Sequence, residues 1–229
     1  MKDLVNKIKR RLLKLRLRPI RVFCIHYVSD EYDPTTIWEC DWMQTDIFKQ
    51  NLLKLKEQGY SFISLAEAHK KLSVDRFRVC KYAVLTADDG LRMDESLYLW
   101  LQSQNIPITL FVCPDMLEGE KKREKPMPLL THSELKTLTR DYAPLVTIGN
   151  HSMGHENCRS LSFVEFQENV RKSNEYLNQF EEYIPFFAYP CNKHLSEFDE
   201  HLRTKGITPV YADGRMNYNN IDVVHRELL

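Results

Sequence analysis

The stretch Val84-Leu85-Thr86-Ala87-Asp88-Asp89-Gly90 decides the fold. The apolar run from Tyr82 to Ala87 has the length of a buried strand. It ends on two adjacent carboxylates, Asp88 and Asp89, and the glycine after them permits a tight turn. Neighbouring carboxylates repel each other, so the pair requires a cation, a shared proton or solvent. On its own the stretch is typical of a solvated turn, and a functional interpretation requires a second motif.

The second motif is Gly149-Asn150-His151-Ser152-Met153-Gly154-His155, which follows the short apolar run Leu145–Ile148. Two imidazoles four residues apart on one turn can face the same ion. A carboxylate then completes a three-ligand site with an open position for water. Because an Asp-Asp pair and a His-x-x-x-His pair each end a strand, the two motifs together indicate a metal centre.

Short strands alternate with helical segments along the chain, which predicts a parallel sheet. About seven or eight such units indicate an α/β barrel, whose chemistry collects at the carboxyl ends of the strands. The residues that fall at such strand ends are His26, Asp88, Asp89, His151 and Pro190. We therefore expect one shared site, in a single barrel domain over residues 20–229 preceded by a basic helix over residues 1–19.

The two motifs resemble those of the polysaccharide deacetylase family, carbohydrate esterase family four. Thr86–Gly90 is similar to its Thr-Phe-Asp-Asp-Gly motif, and His151–His155 to its His-Ser/Thr-x-x-His motif. The segments Ile106–Val112 and Leu130–Leu135 extend the resemblance. It implies a distorted (β/α) barrel of fewer than eight units, about seven strands here.

The resemblance also implies the roles of the site residues. Asp89, His151 and His155 would bind a divalent metal, zinc first, with cobalt or nickel as alternatives. Asp88 would be the general base. Physical chemistry agrees with this division, because zinc-type ions lower the pKa of bound water to about 7 and an unligated carboxylate beside the ion can accept a proton.

The family's third motif, Arg-x-Pro-Tyr/Phe-Gly, corresponds to Ala188-Tyr189-Pro190-Cys191-Asn192. Tyr189, Pro190 and Cys191 are expected on the substrate and oxyanion side, with the Cys191 N–H as the donor. Ala188 replaces the arginine that pairs with the base, as in the Phe-Ala-Tyr-Pro version found in one branch. Without that arginine we expect a higher pKa for Asp88.

Two histidines compete for the role of the acid that protonates the leaving amine. His26, in Cys24-Ile25-His26, resembles the Tyr-His opening of a permuted branch represented by poly-β-1,6-N-acetylglucosamine deacetylases, although the tyrosine is missing. His225 is the alternative, near the C-terminus, on a segment expected to fray. We prefer His26.

The net charge of zero hides an asymmetry. Residues 1–21 hold nine basic residues and one acidic residue, whereas the remainder holds 23 basic and 31 acidic residues. An acidic body argues against nucleic acid as a partner. The basic segment predicts either a helix that contacts anionic membrane through residues 1–18 or a helix that packs on the domain, and packing is the preferred interpretation.

The six cysteines are scattered, and Cys24, Cys80 and Cys113 fall in or beside apolar strands, which predicts small core residues. The sequence has neither a signal-peptide pattern nor a membrane-spanning run, so a cytoplasmic location is expected. The resemblance thus predicts a metal-dependent hydrolase that deacetylates N-acetylated sugars of a poly- or oligosaccharide. An O-acetyl esterase and a catalytically impaired glycan-binding relative remain the alternatives, and no protein partner is predicted.

Overall fold

The computed structural model describes residues 18–74, 80–119 and 124–229. The predicted basic helix, and with it the predicted membrane contact, falls on residues outside these ranges. Within them, no helix has both the length and the apolar character of a membrane span.

Parallel strands form the centre of the fold. The strands are β1 (Ile20–Ile25), β2 (Tyr27–Ser29), β3 (Trp42–Gln44), β4 (Tyr60–Phe62), β5 (Lys81–Ala87), β6 (Ile108–Val112), β7 (Val146–Asn150), β8 (Tyr183–Ala188), β9 (Thr208–Tyr211), β10 (Val224–His225) and β11 (Glu227–Leu228). The main sheet has the order β10-β9-β8-β7-β6-β5-β1-β11, with β4 paired to the start of β5, and β2 pairs with β3 separately.

The C-terminal segment joins the two edges of this sheet. Val224 and His225 pair with β9, Glu227 pairs with β1, and Arg226 lies between the two pairings. One extended segment therefore contacts both edge strands and nearly closes the sheet into a barrel. Counted as one strand, it brings the barrel wall to seven strands, which confirms the predicted architecture. The expectation that this segment frays was wrong, because backbone pairing holds it on both sides.

Helices surround the wall: α1 (Thr45–Glu57), α2 (Leu65–Val74), α3 (Glu95–Ser103), α4 (Pro114–Leu117), α5 (His132–Asp141), α6 (Phe163–Leu177) and α7 (Ser196–Thr204). Capping boxes begin two of them, Thr131 with Glu134 before α5 and Ser162 with Glu165 before α6. Each cap satisfies amide groups that the helix leaves open, which typically stabilises it by about 0.5–2 kcal/mol.

Alternation along the strands separates two apolar layers. One cluster fills the barrel interior and includes Val22, Val84, Val210 and Val224. Residues of opposite parity pack outward against the helices, Phe23 and Ile25 among them. Inside the barrel, a Cβ on Gly149 would lie 2.5 Å from the ring of Phe111, so only glycine leaves room for that ring.

The predicted burial of three cysteines is confirmed for two of them. Cys24 and Cys113 are buried as predicted, but Cys80 is exposed, because it precedes β5 and its side chain is not part of the sheet interior. None of the six cysteines, all of which lie in the described ranges, forms a disulfide.

Candidate metal centre and active site

The carboxyl ends of β1 and β5 bring the predicted site residues together. The two strands pair in parallel, with Cys24 opposite Thr86. Beyond this pair, the amide of Asp88 donates to the carbonyl of Ile25 at 3.0 Å. Alternation then directs Cys24 and His26 of one chain segment, and Thr86 and Asp88 of the other, toward the barrel axis. The sheet register thus explains why residues 62 to 64 positions apart meet.

Asp89, His151 and His155 form a compact trio. The Asp89 Oδ1 atom lies 3.4 Å from His151 Nε2 and 3.2 Å from His155 Nε2. Asp89 has a φ of +72° and His155 a φ of +60°, a left-handed backbone conformation that few non-glycine residues adopt, Asp and His more readily than most. Both turns therefore direct their side chains to one point.

This trio fits a tetrahedral metal ion. Metal–ligand distances of about 2.0–2.2 Å at tetrahedral angles place neighbouring ligand atoms about 3.3–3.6 Å apart. The distance from Asp89 Oδ1 to His151 Nε2, 3.4 Å, lies within this range, and the distance to His155 Nε2, 3.2 Å, lies just below it. One carboxylate with two imidazoles is also a common ligand set for a catalytic zinc that keeps a position open.

Backbone and hydroxyl groups orient the ligand loop. His151 Nδ1 lies 2.8 Å from the carbonyl oxygen of Ala188, so Nε2 is the nitrogen presented to the centre. The Asn150 side chain accepts a hydrogen bond from the Ser152 amide, and the Ser152 hydroxyl accepts one from the amide of Glu156. These contacts hold the turn between the two histidines.

The Asp88 carboxylate pairs with a guanidinium that sequence reasoning missed. Arg226 donates from Nη1 to Oδ1 at 2.6 Å and from Nη2 to Oδ2 at 2.9 Å, and both residues are buried. Burial raises the pKa of Asp88, but the charges of Arg226 and then His151 outweigh it and lower the pKa to about 2. The higher pKa expected from Ala188 was therefore wrong, because Arg226 supplies the missing charge.

The only sequence signal for Arg226 was its spacing. It follows Val224 by two positions along the chain, so alternation in an extended segment gives both side chains the same direction. Val224 packs in the barrel interior, and Arg226 points to Asp88 in the same space.

His26 lies at the candidate site. Its nearest ring nitrogen, the Asp88 carboxylate and the Cys24 sulfur lie within 4.8 Å of one another. The His26 side chain is 26% exposed, and its Nδ1 lies 3.9 Å from Asp41 Oδ1. The partly exposed imidazole therefore lies between a buried carboxylate and solvent.

His225 faces the other side of the wall. Its Nδ1 lies 3.0 Å from both carboxylate oxygens of Asp213, and its ring contacts Tyr211. Tyr211 belongs to the outer cluster between the barrel and helices α6 and α7, not to the interior one. The structure therefore brings His26, and not His225, to Asp88.

The third motif contributes less side-chain chemistry than the sequence predicted. The Tyr189 side chain is 2% exposed and donates its hydroxyl proton to Asp199 at 2.9 Å, in the outer cluster. Its predicted place on the substrate side was wrong for the side chain, because alternation turns Tyr189 away from the barrel axis. Pro190 is buried, and the exposed Cys191 turns the backbone with a φ of +51°.

A cavity of about 840 Å³ lies between β2 and helices α3 and α5, and none of the candidate site residues lines it. Its wall includes Tyr27, which follows His26, and Arg92, which comes three residues after Asp89. Tyr98 and Tyr142 from the flanking helices also line it. Its size is in the range of small-molecule sites. Tyr98 and Tyr142 are buried in the core cluster, so their ring faces are not open to a ligand.

Comparisons with known proteins extend these observations. A sequence model of the family described as polysaccharide deacetylase matches residues 77–210, more than half of the chain. No curated protein matches the chain at significant similarity.

Solved structures share its fold. IcaB from Ammonifex degensii has a TM-score of 0.70 at 22% identity, over 92% of this chain and 91% of that one. The Streptococcus pyogenes deacetylase PplD, solved with acetate, has a TM-score of 0.76 at 20% identity, over 93% of each chain. A de-N-acetylase from Aggregatibacter actinomycetemcomitans has a TM-score of 0.73 at 15% identity, over 93% and 95%. The family match identifies the chain as a member of the polysaccharide deacetylases, metal-dependent hydrolases that remove acetyl groups from N-acetylated glycans.

Proposed function

We propose that Asp89, His151 and His155 hold the metal ion and that Asp88 and His26 transfer the protons in the deacetylation of an N-acetylated sugar. A zinc ion bound by this trio would supply a water of pKa about 7 and polarise the acetamide oxygen. The remaining steps belong to side chains and backbone groups of this chain.

The contrast between the two adjacent carboxylates carries the proposal. Asp89 faces two imidazoles at 3.2 and 3.4 Å, whereas Asp88 faces a guanidinium. A carboxylate among imidazoles suits metal binding, and a carboxylate held by arginine beside that centre stays ionised and oriented. Two neighbouring carboxyl groups in different environments are a typical basis for different chemical roles. Asp88 would accept the proton of the attacking water.

His26 would give a proton to the leaving amine. An amine anion is a very poor leaving group, and a positioned acid contributes about 10²–10⁴-fold to such a step. The distance from the His26 ring to Asp88 and its partial exposure support this role, and His225 remains the residue against which the role is tested.

Backbone groups of the third motif would stabilise the charge that develops on the acetyl oxygen. The N–H of Cys191 is the proposed donor, and this role does not depend on the side chain. Pro190 would hold the turn that carries it. One such donor is worth about 10²–10³ in rate.

Zinc is the proposed ion because one carboxylate and two imidazoles suit it, with cobalt and nickel as functional substitutes. A cytoplasmic location is part of the proposal and is supported by six cysteines that form no disulfide, as is usual in reducing compartments. The proposed substrate is an N-acetylated oligosaccharide or polysaccharide, which the match to the polysaccharide deacetylase family supports.

Acetate release from defined N-acetylglucosamine oligomers tests the proposal. Protein stripped by a chelator should be inactive and should regain turnover with one equivalent of zinc. Release from O-acetylated but not N-acetylated sugars would instead favour the esterase. Glycan binding by the zinc-loaded protein without any acetate release would favour the impaired relative.

A further inference from the structure

A second group of metal-ligating side chains lies beside the candidate metal centre. Cys24, His26 and Asp88 each offer one ligand atom, and these atoms lie within 4.8 Å of one another. Thiolate, imidazole and carboxylate are all ligands of zinc. We propose that this trio is a second metal site, weaker than the Asp89 centre, which takes zinc or cadmium and inhibits the enzyme when it is filled.

The distance between two of its atoms supports the site. The Cys24 Sγ atom lies 3.5 Å from Asp88 Oδ2, to which the thiol donates its proton. Zinc–sulfur and zinc–oxygen distances of about 2.3 and 2.0–2.2 Å, at a tetrahedral angle, separate the two ligand atoms by about 3.5–3.7 Å. An ion can therefore take the place of the thiol proton without moving either residue, and that proton is released to solvent.

The surroundings explain why this site is the weaker one. Arg226 donates to both oxygens of Asp88, so a cation must share the carboxylate with a guanidinium. Asp88 Oδ2 also lies 4.0 Å from His151 Nε2, so the two sites are neighbours and an ion in one repels an ion in the other. His26, the exposed member of the trio, gives the ion its route from solvent.

The second ion should inhibit the enzyme because two of its ligands are also the residues proposed to transfer protons. An ion on Asp88 and His26 removes the proposed base and the proposed acid together. This consequence rests on the proposed function, whereas binding of the second ion does not. The thiol makes the site more favourable for soft ions, so cadmium should bind it more tightly than zinc does.

Calorimetric titration of the metal-free protein with zinc tests the site directly. Wild type should bind two equivalents, and Cys24→Ser should lose the second or bind it at least about 10-fold more weakly. Cys158→Ser is the matched control, because Cys158 is also buried and free but belongs to no such trio among the described residues. Cadmium adds a second readout, thiolate-to-cadmium absorption in the ultraviolet, which should fall in Cys24→Ser and persist in the control.

Turnover measurements test whether the second ion inhibits the enzyme. The activity of each protein at higher zinc is compared with the activity of the same protein at one equivalent of zinc. The zinc concentration that halves this activity should rise at least about 10-fold in Cys24→Ser. If that variant does not fold, His26→Ala replaces it in the binding assay and should also lose the second equivalent. A single equivalent in wild type, or a second one unchanged in the variants, overturns the site. Two equivalents without deacetylation would keep the site and reject the proposed function.

Discussion

Replacement of Arg226 by methionine tests the proposal that this guanidinium keeps the base ionised. Arg226 is 1% exposed, and it holds both Asp88 oxygens and the Thr86 hydroxyl. Removal of one partner leaves a buried carboxylate without its main counter-charge, which typically costs about 3–5 kcal/mol. The pKa of Asp88 gives an independent magnitude. A decrease from 3.8 to about 2, which is the net result of burial and of the charges of Arg226 and His151, corresponds to roughly 2–3 kcal/mol of stabilisation at neutral pH.

The sign of the pH dependence follows from the direction of that shift. Because the folded-state pKa is depressed, the stabilisation is present above pH 4 and is lost as the pH falls toward 2. In Arg226→Met the charge that opposes the effect of burial is gone, so burial raises the pKa of Asp88. The carboxylate then becomes protonated at mildly acidic pH, and the protein no longer holds an unpaired buried charge. The stability difference between wild type and variant should therefore be largest near pH 7 and smaller near pH 4.5.

Urea unfolding at these two pH values measures the effect. Arg21→Met is the matched control, because Arg21 also makes a two-bond pair, with Glu227, on the partly exposed outer side of β1. That variant should lose no more than about 1 kcal/mol. The acid limb of the pH–rate profile should move to higher pH in Arg226→Met alone. A loss below about 1 kcal/mol with an unchanged pH profile would refute the role assigned to Arg226.

The remaining predictions concern the ligands, the acid and the basic segment. At one equivalent of added zinc, His151→Ala should lose tight binding, whereas Asp88→Asn should keep zinc at the Asp89 centre and lose about 10²–10⁴ of turnover; equal zinc content in wild type and both variants would exclude His151 as a ligand. His26→Ala should lose turnover on the same scale while the Asp89 centre keeps its zinc, and His225→Ala should lose only some stability, so the reverse pattern would exchange their roles. Residues 1–18, if they contact membrane, should give salt-sensitive co-sedimentation with anionic but not neutral liposomes, and absence of binding would favour packing.

Local signals were sufficient for the parts of the site that lie within one motif. The apolar run before Asp88 predicted β5, and β5 pairs with β1 from Tyr82 to Ala87. The His-x-x-x-His spacing predicted that His151 and His155 share a point, and their nitrogens both approach Asp89. Short-range patterns fix such geometry because strand ends and tight turns leave few conformations.

Contacts that depend on closure of the barrel could not be predicted in this way. Asp88 and Arg226 are 138 residues apart, and they meet because the C-terminal segment pairs with both β9 and β1. The direction of Tyr189 depends on alternation relative to an axis that exists only after closure. A motif therefore indicated the position of Tyr189 in the chain, but not the side of the wall that its ring faces.

Anomalous diffraction at the zinc edge, from crystals grown with one equivalent of zinc, tests the central claim most directly. We predict a single strong peak about 2.0–2.2 Å from Asp89 Oδ1, His151 Nε2 and His155 Nε2, with Asp88 outside bonding distance and still paired with Arg226. Zinc bound to other residues, or bound by Asp88 in place of Asp89, would contradict the assignment of ligand and base.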